Sequence, residues 1–268
     1  MTDRVNAGKL PVMSRPIITL IPCLADNYCV LLHDPETGET IAIDAPHADT
    51  IKAELGRRGW RLDNILITHH HNDHTAGCQA LKDHFACAIT GPESEAERIP
   101  ALGRGVSEGS TVMFAGHSVE VIETPGHTLG HISYHIPELK VAFTGDTLFA
   151  LGCGRVFEGD PQMMFTSLQK LAALPDDTVI YCGHEYTLSN ARFALSIEPE
   201  NTALVARAKD IEAKRAAGDA TVPTTIALEK ATNPFLRTGS MAIRARLGLT
   251  NVPDWQVFAR LRELKNKA

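Results

Sequence analysis

The sequence has no run of about 18 consecutive apolar residues, which excludes a helix that spans a membrane. It has no Cys-x-x-Cys pair; Cys23, Cys29, Cys78, Cys87, Cys153 and Cys182 are scattered. A chain of 268 residues buries enough core without disulfide staples, so a reducing, cytoplasmic setting is expected. With 20 glycines and 15 prolines, collagen-like and low-complexity classes are excluded. Basic residues alternate with acids and lack an aromatic platform, which argues against nucleic acid as a partner. Residues 1–15 carry Asp3, Arg4, Lys9 and Arg15 and no apolar core of a secretory signal, so they read as a polar N-terminal arm.

The chain is otherwise 44% apolar and 22% charged, as an ordinary globular protein is. Its net charge of −6 is unevenly spread. Residues 189–268 hold 13 Lys and Arg against 8 Asp and Glu, which leaves 13 against 24 for residues 1–188. The C-terminal surplus of 5 is either a solvated helical surface or a surface that receives an anionic ligand.

Apolar, β-rich runs punctuated by turns predict strands at 17–21, 28–32, 40–44, 64–68, 87–90, 112–114, 119–122, 132–136, 141–146 and 178–182. Helices are expected over 45–58, 75–85 and 161–174, so the first part reads as a layered α/β domain. Beyond about Ser189 strand signals thin out, and residues 203–217 and 255–265 have helical character. The expected organisation is the arm 1–15, an α/β domain 16–188 and a mostly helical C-terminal domain 189–268.

Four of the twelve histidines lie within six residues, in Thr68-His69-His70-His71-Asn72-Asp73-His74. This His-x-His-x-Asp-His spacing follows an apolar strand, where a loop turns several side chains toward one point. Imidazoles and a carboxylate together suit zinc, iron or manganese. His127 follows Gly126, Asp146 follows Gly145, and His184 follows Gly183, each after another apolar strand. Glycine permits the sharp turn and close approach such positions need. Seven ligand-type groups are too many for one ion. His69, His71 and His127 can hold one cation and Asp73, His74 and His184 a second, with the two oxygens of Asp146 between them. A water-derived hydroxide between two such cations is a nucleophile at neutral pH, so hydrolysis follows more readily than redox chemistry.

The histidine cluster, with His127, Asp146 and His184, resembles the metallo-β-lactamase fold superfamily. Within it the chain is similar to the glyoxalase II (hydroxyacylglutathione hydrolase) family in four stretches: 21–28 (IPCLADNY), 152–159 (GCGRVFEG), 183–187 (GHEYT) and 233–237 (NPFLR). The resemblance runs from about residue 16 to the end. It implies an αβ/βα sandwich of two mixed sheets with outer helices, plus the helical C-terminal domain.

For the site, the resemblance implies that Arg155, Phe157, Tyr186 and Arg237 bind a glutathione moiety, with Arg244 or Arg246 as substitutes for a second basic contact. It makes Asp44 a brace for the histidine loop. His70 is expected to point away from the cations, and Cys153 and Cys182 to be packing residues. The implied reaction is hydrolysis of S-D-lactoylglutathione and related 2-hydroxyacyl thioesters to D-lactate and glutathione, the second step of methylglyoxal detoxification, with Asp73 and Asp146 as catalytic carboxylates. Two divalent cations per chain are expected, zinc first, with iron or manganese as alternatives. The partner is then a small glutathione thioester, with no nucleic acid or membrane, on a monomer or weak dimer. Competing activities on the same fold are a mononuclear-iron glutathione persulfide dioxygenase and a lactonase. The complete set Asp73, His74 and His184 argues against the former.

Overall fold

A computed structural model describes residues 15–268, so the expected arm, apart from Arg15, lies outside the described residues. The first sheet holds β1 (Ile17–Cys23), β2 (Asn27–His33), β3 (Thr40–Ile43), β4 (Asn64–Leu66), β5 (Ala88–Pro92) and β6 (Arg104–Val106) in sequential order. β1 to β3 form the antiparallel meander that the turn signals predict, and β3 to β6 are parallel. Helices α1 (Ala48–Arg58), α2 (Asn72–Thr75) and α3 (Cys78–Phe85) lie in the parallel crossovers.

Two of these helices depart from expectation. α1 starts at Ala48, not at residue 45, because the Ala45 carbonyl, which a helix from there would need as acceptor, takes the Gly77 N–H at 2.8 Å, and Pro46 disfavours helical backbone at Ala45. The expected helix 75–85 is divided. Gly77 packs so tightly on the start of α1 that a Cβ there would lie 2.8 Å from the Ala45 carbonyl oxygen. The turn before it, α2, carries Asp73 and His74.

The second sheet begins with β7 (Thr111–Phe114), β8 (His117–Glu123), β9 (Ile132–Ile136) and β10 (Val141–Gly145). A small hairpin follows, β11 (Leu148–Phe149) and β12 (Gly152–Cys153), then α4 (Pro161–Ala172) and β13 (Val179–Cys182). Asp160 caps α4 by accepting the Met163 N–H, and Pro161 supplies the fixed φ of a first helical turn. The C-terminal region holds α5 (Thr187–Ile197), α6 (Thr202–Ala217), β14 (Thr224–Thr225), α7 (Ile226–Thr232), α8 (Met241–Leu247) and α9 (Asp254–Asn266). The second sheet has the order β14-β13-β10-β9-β8-β7, so the mostly helical region adds its own edge strand. β6, β11, β12 and β14 are each two or three residues long, too short to show a period in the sequence.

Successive side chains of a strand point to opposite faces. Val30 and Leu32 of β2 join Ile43, Val121, Tyr134 and Phe143 between the sheets. Leu31 points the other way, to Ile51, Leu55 and Leu81 of the outer helices. The second sheet's outer face packs Ala142 and Ile180 against Leu168 of α4 and Phe258 and Leu261 of α9. The architecture is therefore two mixed sheets between helical layers. No helix among the described residues is long and apolar enough to cross a membrane.

This topology brings four strand ends together. β10 and β13 are parallel neighbours, with Gly145 beside Cys182, so Asp146 and His184 emerge side by side. β8 is antiparallel to β9, which is antiparallel to β10, so β8 also ends at that edge and delivers His127. β4 delivers the histidine cluster from the facing sheet. The Ile132 N–H donates to the Thr68 carbonyl at 2.9 Å, and the Tyr134 hydroxyl to that of Ile67 at 2.7 Å, clamping the two edges.

Candidate metal centre and substrate cleft

All seven predicted ligand groups meet at this edge. His69 Nε2 and His127 Nε2 each lie 3.0 Å from His71 Nδ1. His74 Nε2 lies 3.3 Å from His184 Nε2, and Asp73 Oδ2 is 3.7 and 3.4 Å from these two. Asp146 lies between the sets: Oδ1 is 3.5 Å from His74 Nε2, and Oδ2 is 3.3 Å from His184 Nε2 and 3.4 Å from His127 Nε2. A tetrahedral cation with bonds of about 2.1 Å separates its ligands by about 3.4 Å, so the observed spacings fit one.

The outer nitrogens explain why the inner ones face each other. His74 Nδ1 meets Asp44 Oδ2 at 2.8 Å, His184 Nδ1 meets Asp26 Oδ1 at 2.9 Å, and His127 Nδ1 meets the Arg155 carbonyl at 2.8 Å. Those oxygens only accept, so each ring carries its proton on Nδ1 and presents the Nε2 lone pair inward. Thr68 Oγ1 donates to Asp44 and accepts from His69 Nδ1 at 3.0 Å. Asp44 also accepts the Thr68 N–H at 2.8 Å and sits at φ 57°, a conformation costly for a residue with a Cβ. Its carboxylate thus grips the histidine loop from behind. Asp146 Oδ1 is buried with no hydrogen bond, an orphaned acceptor that a cation would satisfy. At Gly183 a Cβ would lie 2.5 Å from that oxygen, so only glycine fits before His184.

The two sets differ electrostatically. Burial pushes His69 well below its ordinary value and lowers His71 and His127, so the first set is neutral. In the second set burial also disfavours charge, but carboxylates overcome it. Before a cation binds, Asp146, Asp44 and Asp73 raise His74 to about 9, and Asp146 raises His184. Nε2 of these rings then also holds a proton, which a bound cation would displace, leaving the Nε2 lone pair facing inward. Burial likewise opposes ionisation of Asp146, yet His74, His184 and His127 hold its carboxyl far below the usual range.

His70, Glu95 and Glu158 have the residue types of a third ligand set. The carboxylate oxygens are already engaged, while the two His70 ring nitrogens are buried without a hydrogen bond. Glu95 accepts the His70 and Gly130 N–H groups at 2.7 and 2.9 Å, and Glu158 accepts from Leu129 N and Arg98 at 3.0 and 2.8 Å. His70 points away from both sets, with Nδ1 2.8 Å from Glu95 and Nε2 3.6 Å from Glu158. It latches the histidine loop to the segment that carries Arg155 and Phe157.

A cleft of about 510 Å³ is lined by members of both ligand sets and also by Phe157, Tyr186, Arg155, Arg262 and Lys265. The Tyr186 ring stacks on His184 at 4.6 Å, and the Phe157 ring lies 5.2 Å from that of His127. Arg155, Phe157 and Tyr186 line this cleft and Arg237 does not. The Arg237 guanidinium makes a two-pronged contact with buried Glu198 at 2.8 and 2.9 Å. Arg244 is buried on backbone carbonyls and Asp254, and Arg246 meets Glu200.

Beside Arg155, the basic side chains that line the cleft come from α9, which sequence reasoning missed. Arg262 donates to the Cys153 carbonyl at 2.9 Å, and Lys265 to Ser189 Oγ at 2.8 Å. Their spacing of three residues on one helix was the available signal. None of these three cations forms an ion pair with a described carboxylate. Burial lowers the Lys265 ammonium, and Arg262 and Arg155 lower it further. The Asn-Pro-Phe stretch is structural. Asn233 donates to the Phe149 and Gly152 carbonyls at 3.3 and 3.0 Å and so holds the cleft's hairpin. Cys153 and Cys182 are buried, with thiols pushed up to about 11 and 12 by burial, so they pack rather than attack.

Residues 27–184 match the family model of the metallo-beta-lactamase superfamily, and residues 185–268 match that of the hydroxyacylglutathione hydrolase C-terminus. The chain is 58% identical to the hydroxyacylglutathione hydrolase of Brucella ovis over 244 residues, 91% of this chain and 95% of that one. It is equally similar to that of Brucella canis, covering 94% of it. Among solved structures, BLEG-1 B3 metallo-beta-lactamase superposes with a TM-score of 0.65 at 22% identity, over 82% of this chain and 99% of the other. ETHE1 from Myxococcus xanthus superposes with 0.64 at 24%, over 92% and 96%; both likenesses concern the fold. With its two matched regions and the identity to the Brucella proteins, the chain belongs to the hydroxyacylglutathione hydrolase family of the metallo-β-lactamase superfamily.

Proposed function

We propose that this protein hydrolyses S-D-lactoylglutathione and related 2-hydroxyacyl-glutathione thioesters to the free 2-hydroxy acid and glutathione. The observation that carries this is that two adjoining ligand sets and three basic side chains, Arg155, Arg262 and Lys265, none paired with a described carboxylate, line one cleft. His69, His71 and His127 would hold one divalent cation and Asp73, His74 and His184 the other, with Asp146 shared; zinc is our first assignment. Bound there, the pair supplies Lewis acidity and a water acidic enough to ionise near neutral pH.

The chain's own residues do the rest. Asn27 donates to Asp73 Oδ2 at 3.0 Å and fixes the more exposed of the two catalytic carboxylates. Asp146 and Asp73 would serve as carboxylate ligands, Asp146 placed between the two sets and Asp73 within the second. Phe157 and Tyr186 wall the cleft and exclude water from the thioester. Arg155, Arg262 and Lys265 receive the carboxylates of the glutathione moiety through charge-assisted hydrogen bonds. Hydrolysis forms a C–O bond to the carbonyl carbon and breaks the C–S bond. The departing thiolate is a weak enough base that no strong general acid is needed.

The test is loss of S-D-lactoylglutathione absorbance with purified, metal-analysed protein, beside a lactone, a β-lactam and oxygen uptake with glutathione persulfide. Thioester turnover that chelation and Asp146→Ala both abolish is expected. Full turnover by Asp146→Ala, or a preference for one of the other substrates, refutes the reading.

A further inference from the structure

His131 is the one fully buried imidazole at this edge that the two ligand sets leave over. Its ring centroid is 4.9 Å from that of His69, close enough to be taken for another ligand. Its partners exclude that role. The Asp146 peptide nitrogen lies 3.0 Å from His131 Nε2, and a peptide N–H only donates, so Nε2 carries the lone pair and turns it on the backbone. The ring proton is therefore on Nδ1. There Thr147 Oγ1, whose own proton goes to the Thr124 carbonyl, lies at 3.1 Å, and Thr124 Oγ1 lies at 2.9 Å. One tautomer satisfies every contact, and no ring nitrogen is left for a cation.

The backbone it touches is the bend that aims the shared carboxylate. Gly145 ends β10 with φ 44°, and a Cβ there would lie 2.7 Å from His131 Nε2 and 2.7 Å from Thr68 Oγ1. The next residue, Asp146, has left the strand ladder, and its buried N–H has His131 as acceptor. Two Asp146 oxygens must serve three imidazoles at 3.3–3.5 Å, so a small displacement of its peptide would misplace both.

We propose that His131 is the positioning residue of the shared carboxylate: a neutral imidazole that accepts the Asp146 N–H and so aims Asp146 between the two ligand sets, without ligating a cation or touching substrate. The proposal rests on the two-cation reading above.

Two variants separate this role from general packing. His131→Gln can place its amide oxygen where Nε2 is and keep the acceptor. His131→Asn reaches only the Nδ1 position, keeping the threonine contacts and losing the acceptor. Metal content by mass spectrometry and Co(II) titration of apoprotein, followed by visible absorption, read the site directly. Wild type and His131→Gln are expected to bind two cations per chain. His131→Asn is expected to lose about 10–100-fold in affinity for one of them, with an altered Co(II) spectrum.

Equal two-cation binding by His131→Asn and wild type overturns the proposal, as does His131→Gln impaired like His131→Asn. Wild type that takes up fewer than two cations overturns it together with the reading of the site. Nitrogen-15 imidazole spectra of the metal-loaded wild type provide a check that needs no variant: a neutral Nδ1–H ring for His131 is expected, and an Nε2–H ring or a metal-bound nitrogen overturns the proposal.

Discussion

The sharpest prediction sets Lys265 against Arg237. Lys265→Met keeps an unbranched apolar stem and removes the ammonium group, which sits on Ser189 and 5.6 Å from the Phe193 ring centroid. A hydrogen bond to a charged group contributes about 1.5–3 kcal/mol. Lys265 is half-buried, so the lower figure applies. Since about 1.4 kcal/mol is tenfold, KM for S-D-lactoylglutathione should rise about tenfold. The ammonium contacts Ser189 and the Phe193 ring and none of the seven ligand groups, so kcat should stay within about twofold of wild type. The increment should also shrink with added salt, because the contact is partly solvated. Arg237→Ala should do the reverse. It strips buried Glu198 of its cation and lowers Tm by several degrees while KM stays put. Steady-state kinetics and thermal melts on the two variants decide the matter. A raised KM in Arg237→Ala with an unchanged one in Lys265→Met would refute the assignment of the anion-binding end to α9.

Three further outcomes follow from described contacts. Gly183→Ala puts a methyl group 2.5 Å from Asp146 Oδ1, so the purified variant should contain less than the full complement of metal by elemental analysis. Glu158→Gln weakens the latch between His70, Arg98 and the Leu129 N–H; KM should rise several-fold with kcat little changed. Glu198 is held below its ordinary carboxyl value of 4.5: burial opposes this, but hydrogen bonds from Arg237, Asn201 and Ser240 prevail. A carboxyl depressed in the folded state stabilises above the unfolded value and loses that contribution as pH falls through the folded one. The Tm gap between wild type and Glu198→Gln should thus be full at pH 7 and narrow below about pH 4.5, as scanning calorimetry across that range would show.

The ligand positions were legible because each follows an apolar strand, and because metal chemistry restricts residue type at every one of them. Neither condition holds for the anion-binding end. Arg262 and Lys265 sit on an amphipathic helix among Arg260, Glu263 and Lys267, which have the same composition and face solvent. Only the docking of α9 against Cys153 and Ser189 distinguishes them. Arg237, assigned by resemblance of its motif, pairs with Glu198, and in the same motif Asn233 holds backbone carbonyls of the cleft's hairpin. His131 had a signal that went unread. Gly130-His131 repeats the pairing of Gly126-His127 and Gly183-His184, but here the imidazole turns toward backbone.

The edge strand β14 has a consequence for how the chain can be divided. The two family matches meet at residues 184 and 185, as if the gene could be cut there. A fragment ending at that seam would strip Thr224 and Thr225 from Val179 and Ile180 and leave the outward N–H and C=O groups of that stretch of β13 unpaired, on the strand that leads to Gly183 and His184, while its pairing with β10 remains. Bare strands of this kind recruit other chains. The truncated product should therefore self-associate and fail to load, and a graft of the helical region onto another sandwich would have to bring this strand with it.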